Sequence, residues 1–258
     1  MPPGGFWLNN NLNNNTDVTI DGGIWLDTNN QRCAMKCAQG SNQGRAAFTV
    51  IGGSNVTFEN MTIYGANQGG EVLALESNSG IDAVGTTGLT LSQVKVSHVF
   101  GDCLALDTQV PYDQDLGKVA NMDVTVNGFA ATACGFQGIS LVDVNGFTAS
   151  GLNIGSTAED SFEVETDFKG VGADNIDVEN CLNPSPADPD ANGIQGHVMI
   201  DAKGTRTSNI TIDNCAIDTG KNGYGVWVKN RVASPSTNPI DLSMHNDSVN
   251  CGSAPVAS

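Results

Sequence analysis

The sequence predicts an all-β fold, a parallel β-helix of about seven coils with three strands per coil. Three observations lead there. A phrase of short strand, bend, second strand, loop and third strand recurs roughly every 23 to 36 residues. Within the strands apolar and polar residues alternate, the period of a strand with one buried face. No helical periodicity persists for more than a few residues. A coil of this length cannot bury its own core, so its neighbours must supply it. A β-sandwich also uses many short strands, but it would need Asn-Gly hairpins that are scarce here.

The first strand of each coil is read as Val18-Thr19-Ile20, Val56-Thr57-Phe58, Leu89-Thr90-Leu91, Met122-Asp123-Val124, Phe147-Thr148-Ala149, Ile176-Asp177-Val178 and Ile210-Thr211-Ile212. Second strands follow about five residues on, as in Met61-Thr62-Ile63, Val94-Lys95-Val96, Leu152-Asn153-Ile154 and Ala216-Ile217-Asp218. The bend between them holds Gly22-Gly23, Asn60, Gln93, Gly128, Gly151, Asn180 and Asn214. Gly and Asn tolerate positive φ there, and a stacked Asn can hydrogen-bond to its neighbour one coil away. Third strands fall in register as Phe48–Ile51, Leu73–Glu76, Leu104–Asp107, Ile139–Val142, Phe162–Glu165, Val198–Asp201 and Val226–Lys229.

The repeat runs without a break from about Val18 to about Val228, so residues 1–258 are expected to be one domain, with a lead-in over 1–17 and a tail over 230–258. Pro-rich segments at Asn183 to Pro189 and Val232 to Pro239 suit loops between coils. A net charge of −17 argues against nucleic acid as a partner, because phosphate binding needs a basic surface. It also repels acidic glycans unless a cation such as Ca2+ bridges them. No stretch is apolar enough to cross a membrane. Among the seven cysteines, Cys33 and Cys37 are the expected disulfide, while Cys181 and Cys215 are expected to pack as small apolar groups in successive coils. Sequons at Asn14, Asn55, Asn60, Asn209 and Asn246 follow mostly from the turn and strand positions that Asn and Thr occupy in the repeat.

Chemistry must lie on outward columns, since the inward positions are apolar. On the third-strand sheet the acids gather in one column, with Glu76 beside Asp107, Glu165 beside Asp201, and Lys229 closing it. Two carboxylates on adjacent strands, ~5 Å apart, repel by ~3 kcal/mol at an effective dielectric of about 20. Such a pair either keeps a proton near neutral pH or recruits a cation, and Ca2+ suits carboxylate donors. The densest cluster is Glu163, Glu165, His197, Asp201, Trp227 and Lys229 on three consecutive rungs. Glu165 and Asp201 have the ~5 Å separation of a retaining glycosidase, and Asp107 and Glu165 the ~9.6 Å expected near the upper end for inversion. Trp227 offers a ring for a sugar to stack on. The plainer alternative is that Glu163, Glu165 and Asp201 only keep a sheet face soluble. On the first-strand sheet, Thr19, Thr57, Thr90, Thr125, Thr148 and Thr211 recur, with Asp123 and Asp177 expected to interrupt them, which weakens an ice-binding reading.

The run Asn78-Ser79-Gly80-Ile81-Asp82, then Gly88-Leu89-Thr90-Leu91, Gly101-Asp102-Cys103-Leu104-Ala105-Leu106 and Gly135-Phe136-Gln137-Gly138-Ile139-Ser140 resembles the pectin-lyase-like superfamily. The order is similar to polygalacturonase-type glycoside hydrolases, which carry Asn-Thr-Asp-Gly-Ile, Gly-Asp-Asp-Cys, Gly-His-Gly-Ile and Arg-Ile-Lys segments and hydrolyse by inversion with aspartates as acid and base. Ser79 stands at the first motif's Asp, Gly101-Asp102 at the paired acids, Gln137 at the His, and Trp227-Val228-Lys229 at Arg-Ile-Lys. Asp102 and Lys229 match. The chain also looks like the β-helix repeat proteins of secreted bacterial proteins and phage tail spikes. The resemblance implies a right-handed β-helix in an extracellular or virion-surface setting.

The expected function is hydrolysis of a polysaccharide by paired carboxylates on the third-strand sheet. Glu163, Glu165, Asp201, His197, Asp102 and Asp107 are the catalytic candidates, and Trp227 and Lys229 the substrate-binding ones. No cofactor is required, and Ca2+ is compatible. A lyase or epimerase would draw on His197 and Lys229. A non-catalytic carbohydrate-binding or tail-spike-like module is the reading from another class, and a homotrimer would favour it.

Overall fold

The computed structural model describes residues 16–26, 46–67, 78–108, 120–166, 172–183, 196–202, 207–218, 224–230 and 240–250. All regular structure among them is β, in three sheets whose strands are all parallel, the arrangement of a parallel β-solenoid. Sheet A orders β1(Thr16–Asp21), β4(Ser54–Glu59), β7(Thr87–Ser92), β10(Met122–Asn127), β13(Asn145–Ser150), β16(Ala173–Glu179), β19(Thr207–Asp213) and β22(Ile240–His245). Sheet B orders β2(Ile24–Leu26), β5(Thr62–Tyr64), β8(Lys95–Ser97), β11(Ala130–Thr132), β14(Asn153–Ile154), β17(Leu182–Asn183), β20(Ala216–Asp218) and β23(Ser248–Asn250). Sheet C orders β3(Phe48–Ile51), β6(Ile81–Val84), β9(Leu104–Asp107), β12(Ile139–Val142), β15(Phe162–Thr166), β18(Gly196–Ala202) and β21(Tyr224–Asn230). Each strand pairs with the matching strand of the next coil, so every sheet is built from sequence-distant neighbours. No helix among the described residues is long and apolar enough to cross a membrane.

The core is one continuous stack of inward side chains, with Phe48, Phe58, Leu89, Leu104, Phe129, Ile139 and Phe147 fully buried. Edge-to-face contacts pack its first coils, Trp25 against Phe48 at 4.9 Å and Phe48 against Phe58 at 5.4 Å.

Two strand assignments change. The rung paired to β3 and β9 is Ile81-Asp82-Ala83-Val84, not Leu73–Glu76, which lies outside the described residues. Both segments alternate, but only the former pairs Phe48 with Ile81 and Ile81 with Leu104. Glu76 is therefore not the neighbour of Asp107 in its column; Val84 is. In sheet A, Val124-Thr125-Val126 rather than Met122-Asp123-Val124 is in register with Leu89-Thr90-Leu91, since Thr125 pairs Thr90 and Val126 pairs Leu91. Asp123 thus sits at a left-handed position with φ 55° and does not interrupt the threonine column. The segment read as a tail supplies two more strands, β22 and β23, which pair β19 and β20.

Every bend position expected between the first and second strands has positive φ: Gly22, Gly23, Asn60, Gln93, Gly128, Gly151, Asn180 and Asn214. The expected stacking is present too, as Asn214 Nδ2 donates to Asn180 Oδ1 at 2.6 Å and Asn60 Nδ2 to Asp21 at 3.0 Å. Asn55 and Asn209 have positive φ where β4 and β19 pass through a matching turn, so these sequons are explained by the repeat.

Cys181 and Cys215 are joined covalently, which corrects the expectation of apolar packing. Their Cα atoms stand 4.5 Å apart, within the reach of a disulfide. A second bridge, Cys103 to Cys134, links the segments entering two successive rungs. Cys33 and Cys37 lie outside the described residues.

Candidate functional site

Sheet C presents two outward columns. The first runs Thr49, Asp82, Ala105, Ser140, Glu163, Met199, Trp227. Beside it stand Ile51, Val84 and Asp107 on the first three strands, then Val142, Glu165, Asp201 and Lys229. Turns entering the strands add Asp102 before β9, Gln137 before β12 and Glu159 before β15. Acidic side chains therefore occupy β6, β9, β15 and β18, and β12 between them carries Ser140 and Val142.

Backbone constraints hold these groups in place. Asn121 is buried and donates to Ala83 O at 3.0 Å and Asp107 O at 3.1 Å, while its Oδ1 accepts from Thr86 N. It thereby ties the ends of the strands that carry Asp82 and Asp107. Gln137 is bracketed by Gly135 and Gly138, and a Cβ at Gly135 would meet Phe100 O at 2.4 Å and one at Gly138 would meet Ser161 O at 2.5 Å. Only glycine fits so near a neighbouring backbone. The Cys103–Cys134 bridge fastens the same two segments, since Cys103 follows Asp102 and Cys134 precedes Gln137 by three residues.

Gln137 links the acids into one network. Its backbone N donates to Asp102 Oδ1 at 2.9 Å. Its side-chain Nε2 donates to Glu163 Oε2 at 2.9 Å and to Glu159 Oε2 at 3.3 Å. Further along, carboxylate oxygens of Glu163, Glu165 and Asp201 lie within 4.8 Å of one another. Glu163 is 3% exposed and Asp201 1%. Acids that merely keep a sheet face soluble would sit in water, and burying a charge is costly. That alternative fails for these two.

Burial raises the Asp82 carboxyl from 3.8 to about 7, and the charge of Asp107 adds to the rise. Asp107 is one strand over and two residues along. Asp82 as a residue is half-buried. Burial also holds Asp102 well above the usual carboxylate range; the hydrogen bond from Gln137 N opposes this, and the charges of Asp82, Glu159 and Asp107 reinforce it. A carboxyl raised into the neutral range within a group of acids suits acid–base chemistry.

Of the residues singled out in the sequence, Glu163, Glu165 and Asp201 meet, with Glu165 and Asp201 direct partners across β15 and β18. Asp107 and Glu165 are two strands apart with Val142 between them. Asp102 joins the network through Gln137. His197 lies on β18, but its side chain is outside what the structure describes. Lys229 Nζ sits 3.8 Å over the Trp227 ring, so one face of that indole is taken by an ammonium rather than left free for a sugar. Asp82 and Glu159 were missed, and Gln137 was noted only as standing where the resembling motif has His. The signal for Asp82 was present in the shared Gly-Ile step of Gly80-Ile81 and Gly138-Ile139, which aligns β6 with β12. Nothing in the spacing marks Gln137 or Glu159, because turn residues follow no strand period. No protein-family model matches this sequence, and comparison with curated proteins and with solved structures finds no match.

Proposed function

We propose that this chain is a right-handed parallel β-helix of about seven coils, pectin-lyase-like in architecture, that hydrolyses a polysaccharide lying along sheet C. The observation that carries the reading is Asp82, a half-buried residue whose carboxyl is raised to about 7, with Asp107 on the next rung. One strand spacing and two residues of rise put their Cα atoms about 8 Å apart. The reading is inversion, the course taken by the polygalacturonase-type hydrolases that the motif order resembles. In this reading Asp82 protonates the glycosidic oxygen as the bond to the anomeric carbon breaks. Asp107 takes a proton from the water that attacks the opposite face. Asp102, fixed by Gln137 N, lies beside both. The two disulfides among the described residues suit an oxidising, extracellular setting.

The test is incubation with neutral and acidic polysaccharides, with and without Ca2+, followed by assay of reducing ends and of unsaturated products. New reducing ends without unsaturation support hydrolysis. Unsaturated ends overturn it in favour of elimination, and silence across the panel favours a non-catalytic rod or tail-spike-like module.

A further inference from the structure

We infer that, on the hydrolytic reading above, the glycan taken along sheet C is a neutral one, and that polyuronates are turned away by charge. The side chains on and beside the sheet lead there. Asp102, Asp107, Glu159, Glu163, Glu165 and Asp201 stand on its strands or on the turns that enter them, in the same region as Asp82. Among the described residues the lysines and arginines are Lys95 and Lys229. Lys95 is exposed on β8, which belongs to sheet B. Lys229 lies on β21, four strands along sheet C from β9 and Asp107, about 19 Å at one strand spacing each. Its ammonium sits 3.8 Å over the Trp227 ring. No cation among the described residues therefore stands beside Asp82 and Asp107.

A uronate finds nothing there to answer its carboxylate. At an effective dielectric of about 20, a second carboxylate ~7 Å away lowers affinity more than tenfold before salt screens it. The acids of the site already feel that field. Ionisation of Asp82 is opposed first by burial and then by the charge of Asp107, and that of Asp102 by burial and by the charges of Asp82, Glu159 and Asp107. A substrate carboxylate set beside them meets both penalties. The hydroxyls of a neutral sugar meet neither, and ionised carboxylates accept hydrogen bonds from them. Between Asp82 and Glu163 the outward column holds Ala105 and Ser140, so the floor under a sugar ring is small and uncharged.

Matched polymers provide the test. A galactan, a mannan and a soluble glucan are each offered to the full chain before and after oxidation of their C6 hydroxyls to carboxylates, alongside polygalacturonate and alginate, at low ionic strength, in EDTA and in Ca2+. Reducing ends report cleavage, and retardation in gels containing each polymer reports binding. The expected result is cleavage of a neutral polymer that falls at least tenfold once it is oxidised, with part of the loss recovered in about 1 M salt, where the screening length is ~3 Å. Glu165→Lys should narrow the ratio between the matched pair by about threefold or more. Both polymers meet the same folded protein, so the ratio does not depend on how much of the variant folds. A loss that neither salt nor Glu165→Lys narrows comes from the missing hydroxyl and overturns exclusion by charge. Cleavage of polygalacturonate, alginate or an oxidised polymer at the neutral rate, with or without Ca2+, overturns the neutral class and leaves hydrolysis standing. Unsaturated ends overturn both, since elimination needs the acidic C5 proton that a uronate carboxyl provides. If no polymer is cut, hydrolysis fails and the gels decide the rest. Retardation by a neutral polymer alone then upholds the neutral class, and retardation by an acidic polymer or by none overturns it.

Discussion

Sheets A and C are built by the same repeat, yet their outward faces differ in kind. The central column of sheet A reads Thr19, Thr57, Thr90, Thr125, Thr148, Asp177, Thr211 and Ser243, all exposed or half-exposed. Threonine suits such a face, since its branched carbon favours strands and its hydroxyl meets water. On sheet C the corresponding columns carry Asp82, Glu163, Asp107, Glu165 and Asp201, and Glu163 and Asp201 are buried. A fold that needed only solubility would have placed threonines on both sheets. Retaining buried carboxylates on one of them sacrifices stability, and function is the usual reason.

The contrast is broken most directly at Asp82. Under the proposed hydrolysis, replacing it by Asn is expected to lower kcat by about 10²- to 10⁴-fold, the range for loss of a general acid. Thr90→Ser on sheet A should leave the rate unchanged. Equal rates for the natural chain and Asp82→Asn would erase the distinction between the sheets.

The disulfides sharpen the comparison. Removing Cys103–Cys134 or Cys181–Cys215 by paired serine substitution should each cost about 2–4 kcal/mol in denaturant unfolding. Only the first adjoins Asp102 and Gln137. Loss of activity per folded molecule, on the order of tenfold or more, is expected for that pair alone.

A pH series tests the electrostatics with no substrate. The folded-state carboxyl of Asp82 lies at about 7 against an ordinary 3.8, so folding favours its protonated form. Its stabilising contribution is complete below pH ~4 and is lost as pH rises through ~7. Asp82→Asn should therefore melt higher than the natural chain at pH 8, with the gap closing towards pH 4. A gap that does not vary with pH contradicts the raised value.

The smallest effects belong to the structural columns. Asn214→Ala deletes the bond to Asn180 and leaves a Cβ-bearing residue at φ 54°, with an expected cost of about 1–2 kcal/mol. Thr125→Ser on sheet A should change stability by no more than about 0.5 kcal/mol.

The parallel-strand architecture was legible because its signals are local and repeated. Alternation named most strands, and Asn or Gly at each bend announced a positive φ. Register was less secure where two nearby segments alternate equally well. Leu73–Glu76 and Ile81–Val84 both read as strands, and only cross-coil pairing selects the latter. That one slip hid Asp82 and gave Asp107 a false neighbour in Glu76. The Glu163, Glu165 and Asp201 cluster was readable, because it follows the strand period on two rungs whose register was read correctly. The Gln137 network was not, because it joins turn residues through side-chain contacts that no period encodes. Cys181 and Cys215 were seen to stack, but stacking by itself does not distinguish contact from a bond.

The most direct test is a carbon-detected NMR titration of the Asp82 side-chain carboxyl in the folded chain, assigned by comparison with Asp82→Asn. The account predicts a midpoint near 7, shifted well above that of an exposed aspartate. A midpoint near 3.8 would mean that the carboxyl is ionised throughout the neutral range, and Asp82 would not be the proton donor of this site.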